Sequence, residues 1–354
     1  MQIARFTVVN HLNARAGGIN WASEVQNRPS TSYSLITYCL ILGTQNPEIR
    51  RTSPLGNPVL SLVRCVRVAI LVLVAASSGA AQELGPVLYN TWEGLCSISP
   101  ESGAKPHCIE GKRYEEASWQ PHGNRIVTES RGGLVFLNSN GQLISRAVGK
   151  SGGRPIWSPD GKYVYAINYA LGRAVERWDA FGKHRIVLPV TGFEDQQLRS
   201  GDVPSPMILQ MISLSPSGKR AALLTRDFKE MLIAHVGDKV LSVQQIVPHE
   251  FSYVSQSVWL DEEHLLFIGK RDSTRGELWE INVQSGELRR RGIDGLWLRD
   301  SVALSPDGRS VIVTGVRDGQ EVSWNLWQYS FETSRLIRLT NGAQAEDVYV
   351  SWRQ

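Results

Sequence analysis

One stretch decides the fold of this chain: Trp157-Ser158-Pro159-Asp160-Gly161-Lys162. Close copies read Leu214-Ser215-Pro216-Ser217-Gly218-Lys219 and Leu304-Ser305-Pro306-Asp307-Gly308-Arg309, and weaker copies begin at Trp119 and Trp259. Pro fixes φ at the first turn position, Asp tolerates a left-handed conformation, and Gly supplies positive φ. The phrase therefore predicts a tight turn between two strands, and its aspartates are assigned to turn formation rather than catalysis.

The copies recur at a spacing typical of propeller blades. From the first hydrophobic residue of one copy to the next, and on to Trp352, the steps are 38, 57, 45, 45 and 48 residues. A four-stranded blade spans about 40 to 50 residues, so the longest step predicts an insertion. Short runs rich in Val, Ile, Tyr and Trp, such as residues 163–167 and 277–281, follow the turns without helical spacing. These features predict an all-β propeller.

Residues 61–81 have the parts of a secretory signal. Arg64 and Arg67 precede an uninterrupted stretch of apolar and small residues that ends at residue 81. This stretch is shorter than the roughly 20 residues of a membrane-spanning helix. We therefore expect a signal peptide at residues 61–81, a mis-assigned or disordered extension at residues 1–60, and a periplasmic or secreted domain at residues 82–354. Retention of the stretch as a membrane anchor is the alternative.

The composition after residue 81 excludes one class of partner and suggests one cross-link. This region contains 31 Lys and Arg against 32 Asp and Glu, and such a balance argues against nucleic-acid binding. Its only cysteines are Cys96 and Cys108, and an even pair in an exported protein predicts a structural disulfide. A redox or metal site is the alternative, but the histidines are scattered and show no metal-ligand spacing.

The two ends of the predicted domain complement each other. A propeller must join its first and last blades, because open sheet edges reduce stability and promote aggregation. Residues 347–352 supply one strand, and the segments 86–90, 95–98 and 106–109 supply three. We therefore predict that residues 85–110 and 346–353 form one shared blade, with the disulfide between its two outer strands. Six blades of about 45 residues account for the length of the domain.

The repeats resemble those of a known family. The Trp-Ser-Pro-Asp-Gly-Lys phrase, the aromatic third strands and the ending Arg335-Leu336-Ile337-Arg338-Leu339-Thr340 are similar to the repeats of TolB-like six-bladed β-propellers. The resemblance covers about residues 85–354. It implies a six-bladed propeller related to proteins of the bacterial cell envelope. We expect no counterpart of the separate α/β domain that precedes the propeller in the TolB protein itself.

The loops that lead into the innermost strands are the best candidates for a binding site. Function in such scaffolds is carried by loops, and a mixture of Arg, Tyr and paired acids suits a protein or peptide surface. The alternative is that these are ordinary solvated loop residues. The candidate binding residues are Arg113, Tyr114, Glu115, Glu116, Arg154, Asp195, Arg199, Asp202, Tyr253, Gln256, Arg299, Asp300, Glu346, Asp347 and Tyr349.

Two classes of function remain open on the sequence alone. The first is a monomeric, non-catalytic propeller that binds an envelope protein or peptide, holds no metal or cofactor, and touches the membrane only through an uncleaved signal segment. The second is a propeller enzyme of the lactonase or sugar dehydrogenase type, with Ca²⁺ or a quinone in the central channel. The second class requires carboxylates to converge in the channel; the candidates are Glu115, Glu116, Asp300, Glu346 and Asp347.

Overall fold

The computed structural model describes most of the chain after residue 84. The described ranges are 85–91, 94–101, 103–110, 114–130, 133–148, 154–169, 171, 174–192, 209–247, 250–271, 275–318, 324–341 and 349–354. They belong to a compact unit, Ala76–Gln354, and contain strands and turns but no helix, and so none that could cross a membrane. The all-β prediction is confirmed. The extension and signal peptide predicted before residue 82 lie outside the described residues and stay predictions.

The two ends of the domain meet in one four-stranded sheet. Its strands, in spatial order, are β24 (Val350–Trp352), β1 (Val87–Thr91), β2 (Gly94–Ile98) and β3 (His107–Glu110). β24 pairs antiparallel with β1, so the predicted shared blade is confirmed. Cys96 on β2 lies directly opposite Cys108 on β3, and the two are joined by the predicted disulfide.

Three further sheets are antiparallel meanders, each starting from its innermost strand. The first contains β4 (Glu115–Trp119), β5 (Arg125–Ser130), β6 (Gly133–Asn138) and β7 (Leu143–Val148). The second contains β16 (Tyr253–Trp259), β17 (His264–Lys270), β18 (Glu277–Asn282) and β19 (Leu288–Arg290). The third contains β20 (Leu296–Leu304), β21 (Ser310–Arg317), β22 (Asn325–Ser330) and β23 (Leu336–Arg338).

The remaining eight strands form one continuous sheet made of two meanders. One half contains β8 (Ile156–Trp157), β9 (Tyr163–Ile167), β10 (Ala174–Asp179) and β11 (Arg185–Thr191). The other half contains β12 (Leu209–Leu214), β13 (Arg220–Thr225), β14 (Met231–Val236) and β15 (Leu241–Ile246). The outer strands β11 and β15 join the halves by a short parallel pairing. The described strands thus form five sheets, and the count of six blades stays a prediction.

The innermost strands surround a central channel. A cavity of about 590 Å³ is lined by residues of β4, β8, β12, β16, β20 and β24. The indole N–H of Trp157 on β8 donates to the carbonyl of Ser118 on β4 at 3.1 Å, and that of Trp259 on β16 donates to Ser213 on β12 at 3.3 Å. The tryptophan that opens the repeated phrase therefore connects one innermost strand to the next.

The repeated phrase forms the turn that its residues predict. Gly161 and Gly308 occupy positive φ values of 68° and 70°, a conformation that costs little only for glycine. In the last copy the Ser305 hydroxyl donates to Asp307 Oδ1 at 2.6 Å, and the Arg309 backbone N–H donates to the same atom. These bonds hold the pKa of Asp307 below its usual value. The aspartate is thus occupied in forming the turn.

We expect the loss of β24 to unfold the whole domain, because this strand completes the shared sheet and the channel wall. Deletion of residues 347–354 should abolish cooperative thermal unfolding measured by circular dichroism. The control is Ser351→Ala, which keeps the strand but removes the hydroxyl that accepts from the backbone N–H of Trp119; this change should lower the free energy of unfolding by about 1 kcal/mol. A truncated chain that melts cooperatively near the original temperature would contradict the role of β24.

The disulfide should stabilise the shared sheet measurably. Its cysteines are 12 residues apart in sequence. A cross-link that closes a loop of this length reduces the entropy of the unfolded chain and stabilises the folded state by about 3 kcal/mol. Replacing both cysteines by alanine should lower the free energy of unfolding in urea by about this amount. Reduction of the unaltered protein should have the same effect, and the variant should be insensitive to reductant. Equal stability of the two forms would show that β2 and β3 need no cross-link.

Candidate functional site

The propeller presents two opposite rims. The entry rim is the face at which the chain enters the innermost strands. It carries Glu116, Arg154, Tyr253, Asp300 and Tyr349. The turn rim is the opposite face, where the Ser-Pro-Asp-Gly turns join each innermost strand to the second strand. Because successive strands of a meander run in opposite directions, the turns between second and third strands also lie on the entry rim.

Irregular strand pairing shapes the entry rim. The register shifts near the start of β4, within the first half of β16 and in the middle of β20. The additional residues include Glu116, Gln256 and Asp300. β12 has a similar shift at Gln210. A bulge bends its strand and re-aims a side chain, and bulges are common beside functional sites. Three of the residues predicted as binding residues therefore occupy bulges.

Three entry-rim residues also have an unfavourable backbone conformation. The φ angles are 51° at Glu116, 50° at Arg154 and 24° at Asp300. Residues with a side chain rarely adopt positive φ, and each such residue costs on the order of 1 to 3 kcal/mol. Conformations of this kind persist where the surrounding structure enforces them, and they cluster at binding and catalytic sites.

Glu116 and Arg154 form a largely buried ion pair. Arg154 Nε lies 3.1 Å from Glu116 Oε1, and the Arg154 backbone N–H donates to Glu116 Oε2. Their side chains are 17% and 13% exposed. The guanidinium lies 4.1 Å from the centre of the Tyr349 ring and contacts the Met211 sulfur. Burial raises the pKa of Glu116 and lowers the pKa of Arg154, while the charge of each partner opposes that shift.

A second polar cluster centres on Tyr253. Its hydroxyl donates to Asp300 Oδ1 at 2.6 Å, and Arg299 Nε lies 3.2 Å from Asp300 Oδ2. The Tyr253 ring stacks on Phe228 with 5.1 Å between ring centres, and Lys270 Nζ lies 4.6 Å from the Tyr253 ring centre. Burial, reinforced by the charge of Asp300, raises the pKa of Tyr253. The phenol is therefore a permanent donor near neutral pH.

The Glu116–Arg154 pair lines the channel, and two hydrogen-bonding atoms of the channel wall are unused. The charge of Arg154 acts on Tyr253, and Glu116, Arg154, Gln256 and Tyr349 all line the channel. Gln256 Oε1 and the Tyr349 hydroxyl are buried and have no hydrogen-bond partner among the described residues. Buried polar atoms in proteins are normally satisfied. These two atoms can receive a ligand's donor and acceptor groups.

The other predicted binding residues are placed differently. Tyr114 is only 3% exposed and packs in the core with Leu88 and Trp119, so it is not part of the rim surface. Glu115 is exposed next to Glu116. The predicted residues that lie outside the described residues are Arg113, Asp195, Arg199, Asp202, Glu346 and Asp347.

Several entry-rim residues were not predicted from the sequence. Tyr169 and Phe228 lie in turns between second and third strands, and Gln210 Nε2 on β12 donates to the Tyr169 hydroxyl at 3.0 Å. Burial, together with the nearby charge of Glu116, raises the pKa of Tyr169. The alternation of strand direction is the signal that places these turns on the same rim as the predicted loops.

One stretch of the chain matches a catalytic sequence pattern. Gly149-Lys150-Ser151-Gly152-Gly153 matches the Gly-x-Ser-x-Gly pattern of a hydrolase nucleophile elbow and contains Gly-Lys-Ser. Such an elbow requires a strand that leads into a helix, whereas this segment follows β7 and precedes β8. It lies outside the described residues, and we assign it no role.

Two carboxylates of the entry rim are already engaged. Glu116 pairs with Arg154, and Asp300 pairs with Tyr253 and Arg299. Within the described ranges, no three His, Cys, Asp or Glu side chains lie together as a metal site would require. Glu346 and Asp347 lie outside those ranges, so the expected absence of a metal stays a prediction.

A double-mutant cycle should reveal the coupling of the Glu116–Arg154 pair. Glu116→Gln leaves a buried guanidinium without its counter-charge, and Arg154→Met leaves a buried carboxylate, so each should lower the free energy of unfolding by about 3 kcal/mol. The double variant removes both charges and should recover most of that loss. Urea unfolding of the four proteins measures the cycle. Losses that simply add in the double variant would contradict a coupled pair.

Only solved structures provide similarities to this chain, since no protein-family model and no curated protein matches it. The putative TolB from Agrobacterium tumefaciens has a TM-score of 0.52 and 13% identity, covering 76% of this chain and 98% of that one. TolB from Acinetobacter baumannii has a TM-score of 0.55 and 15% identity, covering 81% and 71%.

A chain of the nidogen/laminin complex has a TM-score of 0.53 with 13% identity, covering 75% of this chain and 97% of that one. At such low identity, similarity in structure establishes the fold alone. The agreement with two TolB structures confirms the fold that the repeated phrase predicts. The described part of this chain has the β-propeller fold of these structures.

Proposed function

We propose that this chain is an exported, non-catalytic β-propeller whose entry rim binds a protein or peptide partner in the cell envelope. The convergence of Glu116, Arg154 and Asp300 carries the proposal. All three have positive φ, and two occupy strand bulges. His122 and Ser334 on the turn rim also have positive φ, but among the described residues only those on the entry rim form an ion pair beside the channel, and strained backbone of this kind clusters at binding sites.

The chemistry of the rim suits a peptide ligand. Gln256 Oε1 accepts hydrogen bonds and the Tyr349 hydroxyl both donates and accepts, which matches the N–H and C=O groups of an extended backbone. The stacked Phe228 and Tyr253 rings beside Lys270 offer aromatic and cationic contacts. Aromatic residues and arginine are enriched at protein interfaces. The channel volume of about 590 Å³ can admit a side chain or a short segment of such a ligand.

Export is supported by the cross-link in the shared sheet. Disulfides persist in oxidising compartments such as the periplasm and are rare in the cytosol. The Cys96–Cys108 bond is consistent with the signal peptide expected before residue 82. We extend the proposal to a monomer without a resident cofactor. Glu116 and Asp300 are held by Arg154 and Tyr253, which supports binding over metal chemistry.

Partner capture by the purified domain should depend on the entry rim and not on the turn rim. Arg299→Ala removes an arginine that is ion-paired with Asp300 on the entry rim. The matched control is Arg309→Ala, which removes an arginine paired with Glu332 at 3.4 Å on the turn rim of the same sheet. From a detergent extract of the envelope, we expect a partner captured by the unaltered protein to be lost with Arg299→Ala and retained with Arg309→Ala.

The same preparation distinguishes the enzyme alternative. A partner retained equally by both variants would remove the entry rim as the binding face. Stoichiometric Ca²⁺ in the purified protein, released by a chelator, would favour an enzyme with its site in the channel. The Gly192-to-Ser205 insertion, most of which lies outside the described residues, can be replaced in a further variant to test whether this loop contributes to capture.

A further inference from the structure

The large apolar side chains that remain exposed are confined to one sector of the propeller. Among the described residues they are Leu143, Ile144, Tyr163, Tyr169, Leu171, Phe181, Ile186 and Val187. All belong to the β4–β7 sheet or to the neighbouring β8–β11 half-sheet. Exposed apolar residues are ordinary when scattered singly, whereas a contiguous group marks an interaction surface.

Six of the eight lie together at the turn rim. They flank three successive turns that close at Asn138–Gly141, Ser158–Gly161 and Asp179–Gly182. The Ser145 hydroxyl, next to Ile144, donates to the Phe181 carbonyl at 2.8 Å, so the outer hairpins of the two sheets are in contact. We call this group the apolar patch; its residues are Leu143, Ile144, Tyr163, Phe181, Ile186 and Val187.

The outer part of the patch stands at a sheet edge. Arg185, Ile186 and Val187 are successive residues of β11 and all three are exposed. β11 pairs with β15 only at Val190 and Thr191. Side chains on both faces of this strand therefore project outward at its beginning.

Cations surround the apolar patch. Arg125 lies 4.0 Å and Lys183 5.8 Å from the centre of the Phe181 ring, and Arg177 lies 5.0 Å from the Tyr163 ring. The other basic groups next to the patch are Arg146, Lys162, His184 and Arg185.

The acidic groups that face the same region are already engaged. Asp160 accepts from Ser158 and pairs with Lys162 at 3.2 Å. Asp179 accepts the backbone N–H groups of its own turn, and His184 lies 3.9 Å from it. Glu176 is completely buried and pairs with Arg185 at 3.2 Å. Six Lys and Arg thus face three carboxylates, and the sector is net positive.

We propose that the apolar patch binds the surface of an anionic lipid bilayer. Its apolar side chains project from turns and a strand edge, a shape suited to insertion at a fluid interface. Lys and Arg beside aliphatic and aromatic side chains attract anionic headgroups while the apolar groups enter the acyl boundary. This surface is separate from the entry rim. The sequence predicts membrane contact only through an uncleaved signal segment, and the apolar patch adds a second contact.

Vesicle co-sedimentation of residues 82–354 tests the proposal, because this segment holds every strand pairing described above. Its cooperative unfolding is checked first. We expect binding to vesicles of phosphatidylcholine mixed with phosphatidylglycerol, weak binding to phosphatidylcholine alone, and loss of binding as salt rises. Ile144→Ser with Ile186→Ser should lower the partition coefficient roughly tenfold. Lys183→Ala should lower it roughly fivefold.

The matched control is Leu171→Ser on the entry rim. Leu171 is 57% exposed, more than Ile144 at 43% or Ile186 at 46%, yet this variant should bind vesicles like the unaltered protein. Equal binding to neutral and anionic vesicles, or equal losses in the control and patch variants, would overturn the proposal. So would a dimer seen by sedimentation velocity that the patch variant alone dissociates, because the patch would then be an interface between two copies.

Discussion

The closure of the ring by β24 is the constraint on which the remaining structure depends. Three of the sheets are meanders, and the eight-stranded sheet consists of two meanders. Within each meander the strands are close in sequence. The shared sheet alone joins the first strand of the domain to the last one described. β24 also stands between β4 and β20 and completes the wall of the channel. Both the cavity and the entry rim that borders it exist only in the closed ring.

Much of this architecture follows from local chemistry and was therefore predictable. The Ser-Pro-Asp-Gly turns fix where innermost strands end, because Asp307 and Gly308 satisfy and shape the turn without help from distant residues. The single strand near residue 350 and the three near residue 90 could be combined by counting strands. The disulfide followed from having one cysteine pair after residue 81. What made these predictions sound was their dependence on short stretches of sequence.

The entry rim was predictable only in outline. The sequence located its loops, but not the bulges that contain Glu116, Gln256 and Asp300, since register depends on how each strand packs against its neighbours. The pairing of Glu116 with Arg154 joins residues from two different sheets, and no periodicity reveals it. The prediction for Tyr114 failed to anticipate burial in the core for the same reason. The parallel pairing of β11 with β15 is likewise a tertiary contact between strands that are remote in sequence.

The position of β24 also has a kinetic consequence. The partners of Val87 and Leu88 are supplied by Trp352 and Ser351 at the opposite end of the domain, so the first sheet to be synthesised is the last to be completed. Non-local pairing of this kind slows folding, because the entropy cost of closing a very long loop arises before any stabilising contact forms. The meanders can assemble early, but they must wait as an open arc until the final segment arrives. Under the export proposed above, the arc stays open throughout translocation.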